Sequence, residues 1–513
     1  MENESANNKR IAKNTLLLYF RMLLTMAVSL YTSRVVLSTL GVEDYGIYNV
    51  VGGVVAMFSV ISGSLSAAIS RFITYELGKG DEKALKNIFS SAVTIQLTLG
   101  IIILILAEAI GVWFLNTKMN IPESRIYATN WIFQLSILTF IINLISIPYN
   151  AAIIAHEKMS AFAYISILEV STKLLIAYLL VISPIDRLIF YAILMASVAL
   201  IIRFVYGYYC KRNFEECTYY FIFDKDLLKR MFGFAGWNFI GSCSAILRDQ
   251  GGNIVINLFC GPAVNAARGI AYQVNSAISG FVNNFMMALN PQITKSYASG
   301  NREYMMTLIY QGARLSFYIL MLLSLPVMIN VDYILGLWLK TVPEHTSTFV
   351  QLVLIFAMSE AISNPLITAM LATGNIKNYQ IIVGGLQMLN LPISYIFLKN
   401  EYIPETVLIV AIFISQCCLV ARLYMLKRMI GFSPKIFFKK VYLNVISVYI
   451  VSSLLPVFLS NTLQKSFINF VIISTLSLLI NLLTILYIGC NSEERLLVFK
   501  KVKQLKHKII KND

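Results

Sequence analysis

Apolar residues fall along this chain in long continuous blocks, not in the every-second-residue alternation of a half-buried strand. A helix needs about 20 apolar residues to cross a bilayer. On that criterion the blocks predict about fourteen transmembrane helices, at roughly 12–40, 46–70, 87–115, 126–150, 159–182, 188–210, 231–259, 264–291, 304–329, 346–372, 378–398, 405–426, 441–459 and 466–490. The connections are short, and the longest lies at about 211–230. The predicted fold class is an all-α integral membrane protein.

Composition excludes the soluble alternatives. The chain is 58% hydrophobic and only 13% charged, whereas a soluble domain is about a quarter charged. In hydrocarbon no water satisfies exposed peptide groups, so the spans must close their hydrogen bonds internally. A β-barrel would show alternating strands instead. The cysteines, Cys210, Cys217, Cys243, Cys260, Cys417, Cys418 and Cys490, have no CxxC spacing, and His156, His345 and His507 have none of the spacings of a zinc site. Neither a metal nor another cofactor is expected. The first apolar block runs to Leu40, too long for a signal-peptide core, and reads as a retained first helix.

Orientation follows from the basic residues, because loops rich in Lys and Arg stay on the cytoplasmic side. One set of alternate loops carries the clusters Arg71, Lys79, Lys83 and Lys86, then Lys211, Arg212, Lys229 and Arg230, then Lys427, Arg428, Lys435, Lys439 and Lys440. The opposite set holds only Lys118, Arg125, Arg187, Lys340, Lys399 and Lys465. Both termini are therefore expected in the cytoplasm. The domains expected are an N-terminal six-helix bundle at 1–210, a cytoplasmic linker at 211–230, a C-terminal six-helix bundle at 231–426, and an appended helix pair with a basic tail at 427–513. The net charge of +16 and the tail from Lys500 to Lys511 suit anionic membrane lipid at the inner leaflet. No nucleic-acid partner is expected.

The two bundles are related. Sliding the chain on itself by 220 residues pairs Gly41 with Gly261, Ile73 with Ile293, Thr74 with Thr294 and Gly80 with Gly300. An offset of 217 pairs Pro148, Ala152 and Ala155 with Pro365, Ala369 and Ala372. Two repeats of six helices each keep the same orientation, so they are related by a pseudo-twofold axis along the membrane normal. That geometry belongs to alternating-access transporters, with the substrate held between the halves.

Charges in the bilayer core are costly unless they face a cavity or a partner. Those within apolar runs are Arg21, Arg34, Glu108, Glu169, Lys173, Arg248, Asp249, Arg268, Arg314 and Glu360. Glu169 and Lys173 stand four apart and form a structural pair. Arg248 and Asp249 are consecutive, about 100° apart on a helix, which argues against a simple mutual salt bridge. Arg34, Arg248 and Arg268 project from helices expected to line the interface between halves. Guanidinium groups there suit phosphate oxygens, and the alternative is a snorkelling or capping role. Arg314 and Arg21 lie toward the cytoplasmic half and are secondary candidates for a phosphate. Asp249 and Glu360 are the candidates for ion coupling, since desolvation raises a carboxylate's pKa toward neutrality; for Glu360, solvation by Ser359, Ser363 and Asn364 is the structural alternative. No catalytic constellation and no Walker-type loop appears, so the chain reads as a transporter and not an enzyme.

The turn after the first helix reads Leu40-Gly41-Val42-Glu43-Asp44-Tyr45-Gly46-Ile47-Tyr48, and the second helix ends in Ser66-Ala67-Ala68 before Ser70-Arg71-Phe72. In these segments the chain resembles the polysaccharide transport family of bacterial flippases, the Wzx-type O-antigen and capsule exporters. Their superfamily also holds the multidrug and toxin extrusion exporters and the lipid II flippase. The resemblance implies a V-shaped cavity between two bundles. It also implies movement of an undecaprenyl-pyrophosphate-linked oligosaccharide, such as a lipopolysaccharide precursor, across the bacterial inner membrane, with cationic cavity residues on the pyrophosphate and a polysaccharide polymerase as protein partner. Basic residues within the apolar runs outnumber acidic ones by six to four, which favours an anionic substrate over the cationic drugs of a multidrug exporter. Val28 and Tyr48 stand where Arg248 and Arg268 would repeat in the first half, a departure from the lipid II flippase pattern. A membrane polymerase or ligase on the same lipid carrier is the alternative of a different class.

Overall fold

The computed structural model describes residues 2–56, 59–117, 123–222, 224–339, 342–464, 466–492 and 494–496. Among them all regular structure is helical. The long helices are α1 (Glu2–Ala56), α2 (Ser59–Lys79), α3 (Glu82–Leu106), α4 (Ile126–Ala155), α5 (Met159–Leu179), α6 (Arg187–Asn213), α7 (Lys225–Ala298), α8 (Arg302–Ile329), α9 (Thr346–Thr373), α10 (Lys377–Met388), α11 (Asn390–Lys399), α12 (Thr406–Ile430), α13 (Leu443–Thr462) and α14 (Phe467–Thr484).

Local chemistry sets many of the ends. Asp81, Asp186 and Asp224 cap α3, α6 and α7 by accepting from backbone N–H groups of the first turn, which satisfies donors that have no partner inside a helix. Gly431, in left-handed conformation, closes α12. The two longest helices are each broken once, α1 at Gly41 (φ 82, ψ 169) and α7 at Gly261 (φ 82, ψ 176). A side chain would disfavour such a backbone. Gly80 and Gly300 likewise share φ 77. The pairs matched by the 220-residue offset thus have matching backbone.

Eleven helical segments among the described residues are long and apolar enough to cross a membrane. The described residues of the expected second, seventh and eighth helices are helical too but are not among those eleven, and the second spans residues 57–58, outside the described ones. The seventh and eighth carry Gly-, Ser- and Asn-rich stretches and the charges Arg248, Asp249 and Arg268, which lower their apolar content. The outer surfaces are apolar, as a bilayer demands: Ile101 and Ile105 of α3, Phe413 of α12 and Leu454 and Phe458 of α13 are exposed.

Two compact units emerge, and their boundary differs from that of the repeats. Unit 1 comprises 1–242 with 287–302 and 371–377, and unit 2 comprises 243–286, 303–370 and 378–513. Within unit 1, segments of the second repeat are packed against the first. A Cβ on Gly78 would lie 2.8 Å from Ala298 Cβ and 2.9 Å from the Lys295 backbone, so α2 meets the end of α7 at van der Waals limit. Beside that contact, buried Glu157 accepts from Arg10 Nε (2.7 Å), Lys295 Nζ (2.7 Å) and Gln292 Nε2 (2.6 Å). Asn14 donates to the Glu157 carbonyl at 3.3 Å. Also in unit 1, Arg125 bridges Asp44 and Asp186.

Candidate functional site

Unit 2 gathers charged side chains of α7, α9 and α12, from half-exposed to fully buried. Arg248 Nε donates to Asp249 Oδ1 at 2.8 Å and its Nη2 to Asp249 Oδ2 at 3.2 Å. The sequence-based expectation that these neighbours would not pair is therefore corrected. Their Cβ atoms diverge, but the arginine's long stem lets its fork turn back around the helix onto the carboxylate. The Arg248 guanidinium also lies over the Phe356 ring, 5.0 Å from its centroid.

Arg268 comes from the segment of α7 beyond the break. It is buried, and donates to the Asp249 carbonyl (3.1 Å), to Asn253 Oδ1 and to the Tyr272 hydroxyl (3.1 Å). Gly252 allows this approach, because a Cβ there would stand 2.8 Å from Arg268 Nη2. The DQGGN run at 249–253 is thus a close-packing device for an arginine.

Glu360 of α9 accepts from Ser415 Oγ at 2.5 Å. Ser415 contacts Ser359 (2.9 Å), which accepts from Gln416 Nε2 (2.5 Å), and Gln416 accepts from the Tyr442 hydroxyl (3.0 Å). The carboxylate is tied into a polar chain across α9, α12 and the start of the appended pair. Its hydroxyl donor is Ser415, not the Ser359, Ser363 and Asn364 that the sequence offered as local solvation.

Arg422 is not among the residues that the sequence singled out. It is fully buried, within electrostatic reach of Glu360 and Tyr379. Its Nε and Nη1 have no partner among the described residues. Its position well inside the apolar run of α12, ahead of Lys427 and Arg428, was the available signal. The cluster thus holds three guanidinium groups, Arg248, Arg268 and Arg422, against two carboxylates, Asp249 and Glu360.

The other candidates lie elsewhere. Arg314 is buried in unit 2 and donates to the Gly489 carbonyl (3.0 Å), Asn491 (3.3 Å) and Glu494 (2.6 Å), fastening α8 to the end of the appended pair. In unit 1, Arg21 donates to Ser166 Oγ at 3.4 Å and lies over Phe162 at 4.6 Å. Lys173 and Glu169 pair at 2.6 Å, each about a third exposed. The side chain of Arg34 lies outside the described residues. Unit 1 also holds a cavity of about 220 Å³ lined by Tyr48, Ser136, Thr139, Phe140, Asn143 and other residues. His156 and His345 bind Glu216 and Glu405, and no group of metal-ligating side chains occurs among the described residues.

A family profile described as Polysaccharide biosynthesis protein matches residues 11–297, more than half of the chain. The chain belongs to that family. A second profile, MatE, matches residues 242–396 of this polysaccharide biosynthesis protein. It is 24% identical over 313 residues to EpsK, an uncharacterized membrane protein of Bacillus subtilis (strain 168), over 59% of this chain and 60% of EpsK. The match thus spans less than two thirds of that relative. Among solved structures, a MATE in the bent conformation superposes with TM-score 0.71 at 13% identity, over 82% of this chain and 96% of that one. A MOP superfamily transporter from Pyrococcus furiosus, described as having a binding pocket of reverse polarity that suggests a different function, gives 0.66 at 14% identity, over 82% and 95%. This polysaccharide biosynthesis protein is a multi-pass membrane protein with the fold of the MATE exporters.

Proposed function

We propose that the protein flips an undecaprenyl-pyrophosphate-linked oligosaccharide, a precursor of O-antigen, capsule or exopolysaccharide, from the cytoplasmic to the outer leaflet of the bacterial inner membrane by alternating access. The observation that carries this reading is the excess of guanidinium over carboxylate in the partly buried cluster of unit 2. Arginine stays charged in hydrocarbon surroundings and its fork fits phosphate oxygens. Arg422, with two nitrogens unpartnered, and Arg248, whose partner Asp249 is 38% exposed, are the groups best disposed to accept a pyrophosphate. Arg34 remains a third candidate from the first repeat. Glu360, held by a hydroxyl and near Arg422, is the candidate for ion coupling. Membership of a polysaccharide biosynthesis family supports the class of cargo, and anionic lipid and a polysaccharide polymerase are the partners this role requires.

The test is surface glycan in cells carrying Arg248→Ala or Arg422→Gln protein, normalised to membrane expression, with the leaflet of the lipid-linked precursor determined in parallel. Loss of glycan with precursor trapped in the inner leaflet is expected. Normal glycan in both variants overturns the assignment of these arginines. Normal glycan in a deletion strain overturns the cargo and redirects the search to small-molecule export.

A further inference from the structure

Unit 1 contains two corresponding sites, one in each repeat, that have been finished differently. The offset of 217 that places Ala155 on Ala372 also places Glu157 on Gly374. Both have left-handed backbone, φ 58 and φ 78. At the first site the Glu157 carboxylate neutralises Arg10 and Lys295. At the second there is no side chain, and a cavity of about 450 Å³ takes its place.

Five cations line that cavity, Arg71, Lys79, Lys229, Arg230 and Lys377, against the single carboxylate of Glu76. Among the described residues no carboxylate stands within ion-pair distance of any of the five. Arg71 forms the floor. Its Nη2 donates to the Ala372 carbonyl at 3.0 Å, its guanidinium lies over Tyr75 at 4.6 Å and Phe72 at 4.8 Å, and its Nε is buried without a partner. A Cβ at Gly374 would stand 2.5 Å from Arg71 Nη2, so the glycine is what leaves room for the arginine. The first residue of α10, Lys377, is also at the rim, bringing the positive end of a helix to the cavity. Like charges crowded around a void repel one another, and Arg71 is held where water screens poorly. An anion relieves both.

We propose that this cavity binds a phosphate group, carried by a lipid headgroup or by a soluble phosphate or pyrophosphate ester. Guanidinium and ammonium groups converging from three segments, α2, α7 and α10, match the several oxygens of such a group, and the volume admits more than one phosphoryl unit. Tyr75, Phe234 and Trp237 supply an apolar wall for what the phosphate is attached to. Its lining belongs wholly to unit 1, and the inference does not depend on what the protein transports.

The test uses the full-length protein in neutral detergent. Calorimetric titration with inorganic pyrophosphate reads a soluble ester, and native mass spectrometry after exposure to phosphatidic acid or phosphatidylcholine reads a headgroup. The variant is Lys229→Gln/Arg230→Gln, whose side chains are exposed. Saturable binding of pyrophosphate, or retention of phosphatidic acid over phosphatidylcholine, is expected, and the double variant weakens it about tenfold. Binding of the lipid alone assigns the headgroup, and binding of pyrophosphate alone assigns the soluble ester. Binding of neither by the wild type, or equal binding by the double variant, overturns the proposal.

Discussion

Replacing Glu157 by glutamine tests what joins the two repeats within unit 1. The side chain is 1% exposed and serves Arg10 (48% exposed), Lys295 (24% exposed) and Gln292. Glutamine keeps the shape, removes the charge, and leaves the Lys295 ammonium desolvated with no counter-charge. Breaking a buried pair by deleting one partner costs about 3–5 kcal/mol when both are dry. Lys295 is partly wet, and the half-exposed Arg10 contributes about 0.5 kcal/mol, so the expected loss is roughly 2–3 kcal/mol. Lys295→Met removes the stranded charge and restores part of that loss. A double-mutant cycle of the two should give a coupling of about 2 kcal/mol. The assay is equilibrium unfolding of the purified protein in mixed micelles, followed by circular dichroism. A Glu157→Gln protein within about 0.5 kcal/mol of wild type, or strictly additive single and double variants, refutes the reasoning.

Gly78→Val places branched carbon against the backbone at Lys295, where nothing can yield; α2 and the end of α7 then separate, and cysteine-accessibility labelling of that end should rise. Arg314→Met strands Glu494 and unfastens α8 from the segment after α14. A loss of about 2 kcal/mol is expected, visible as faster limited proteolysis near residue 494. The Asp186 carboxyl is pushed up by burial but held overall below its usual range by Arg125 and by the Leu188 and Ile189 amides. A depressed carboxylate pKa stabilises the fold above the unfolded value, about 3.9, and that contribution is lost as pH falls through the folded value. The acid unfolding midpoint should therefore shift upward in Asp186→Asn, and an unchanged midpoint would count against the contact.

Much of the architecture was legible because the bilayer imposes long apolar blocks, and the glycines of the repeat needed no context. The 220-residue offset that pairs Gly41 with Gly261 and Gly80 with Gly300 picked out positions that all have positive φ. The site was less legible, since burial and partner choice are tertiary properties. Arg314 and Arg268 carry the residue type of phosphate ligands, yet protein acceptors such as the Gly489 carbonyl and Asn253 engage them. Arg422 carried the same type and was hidden by its nearness to Lys427 and Arg428. The Arg248–Asp249 pair shows that backbone direction alone does not decide where a long side chain ends.

The difference between Glu157 and Gly374 admits a reciprocal experiment, Gly374→Asp. Position 374 has φ 78, and a non-glycine residue there is strained by about 1–2 kcal/mol, less for Asp because its short side chain bonds locally. Glu157, at φ 58 in the matching turn, shows that this fold carries an acidic residue in such a backbone. The new Cβ would crowd Arg71 Nη2 at 2.5 Å, but that atom ends a flexible side chain and can give way. The carboxylate would then lie among five cations, and a partly buried pair offsets about 1–2 kcal/mol. Net stability should stay within about 1 kcal/mol of wild type, while pyrophosphate or phosphatidic acid binding disappears because the protein now supplies the anion itself. Retained binding by a well-folded Gly374→Asp protein would show that the phosphate does not occupy the place that Glu157 fills in the other repeat.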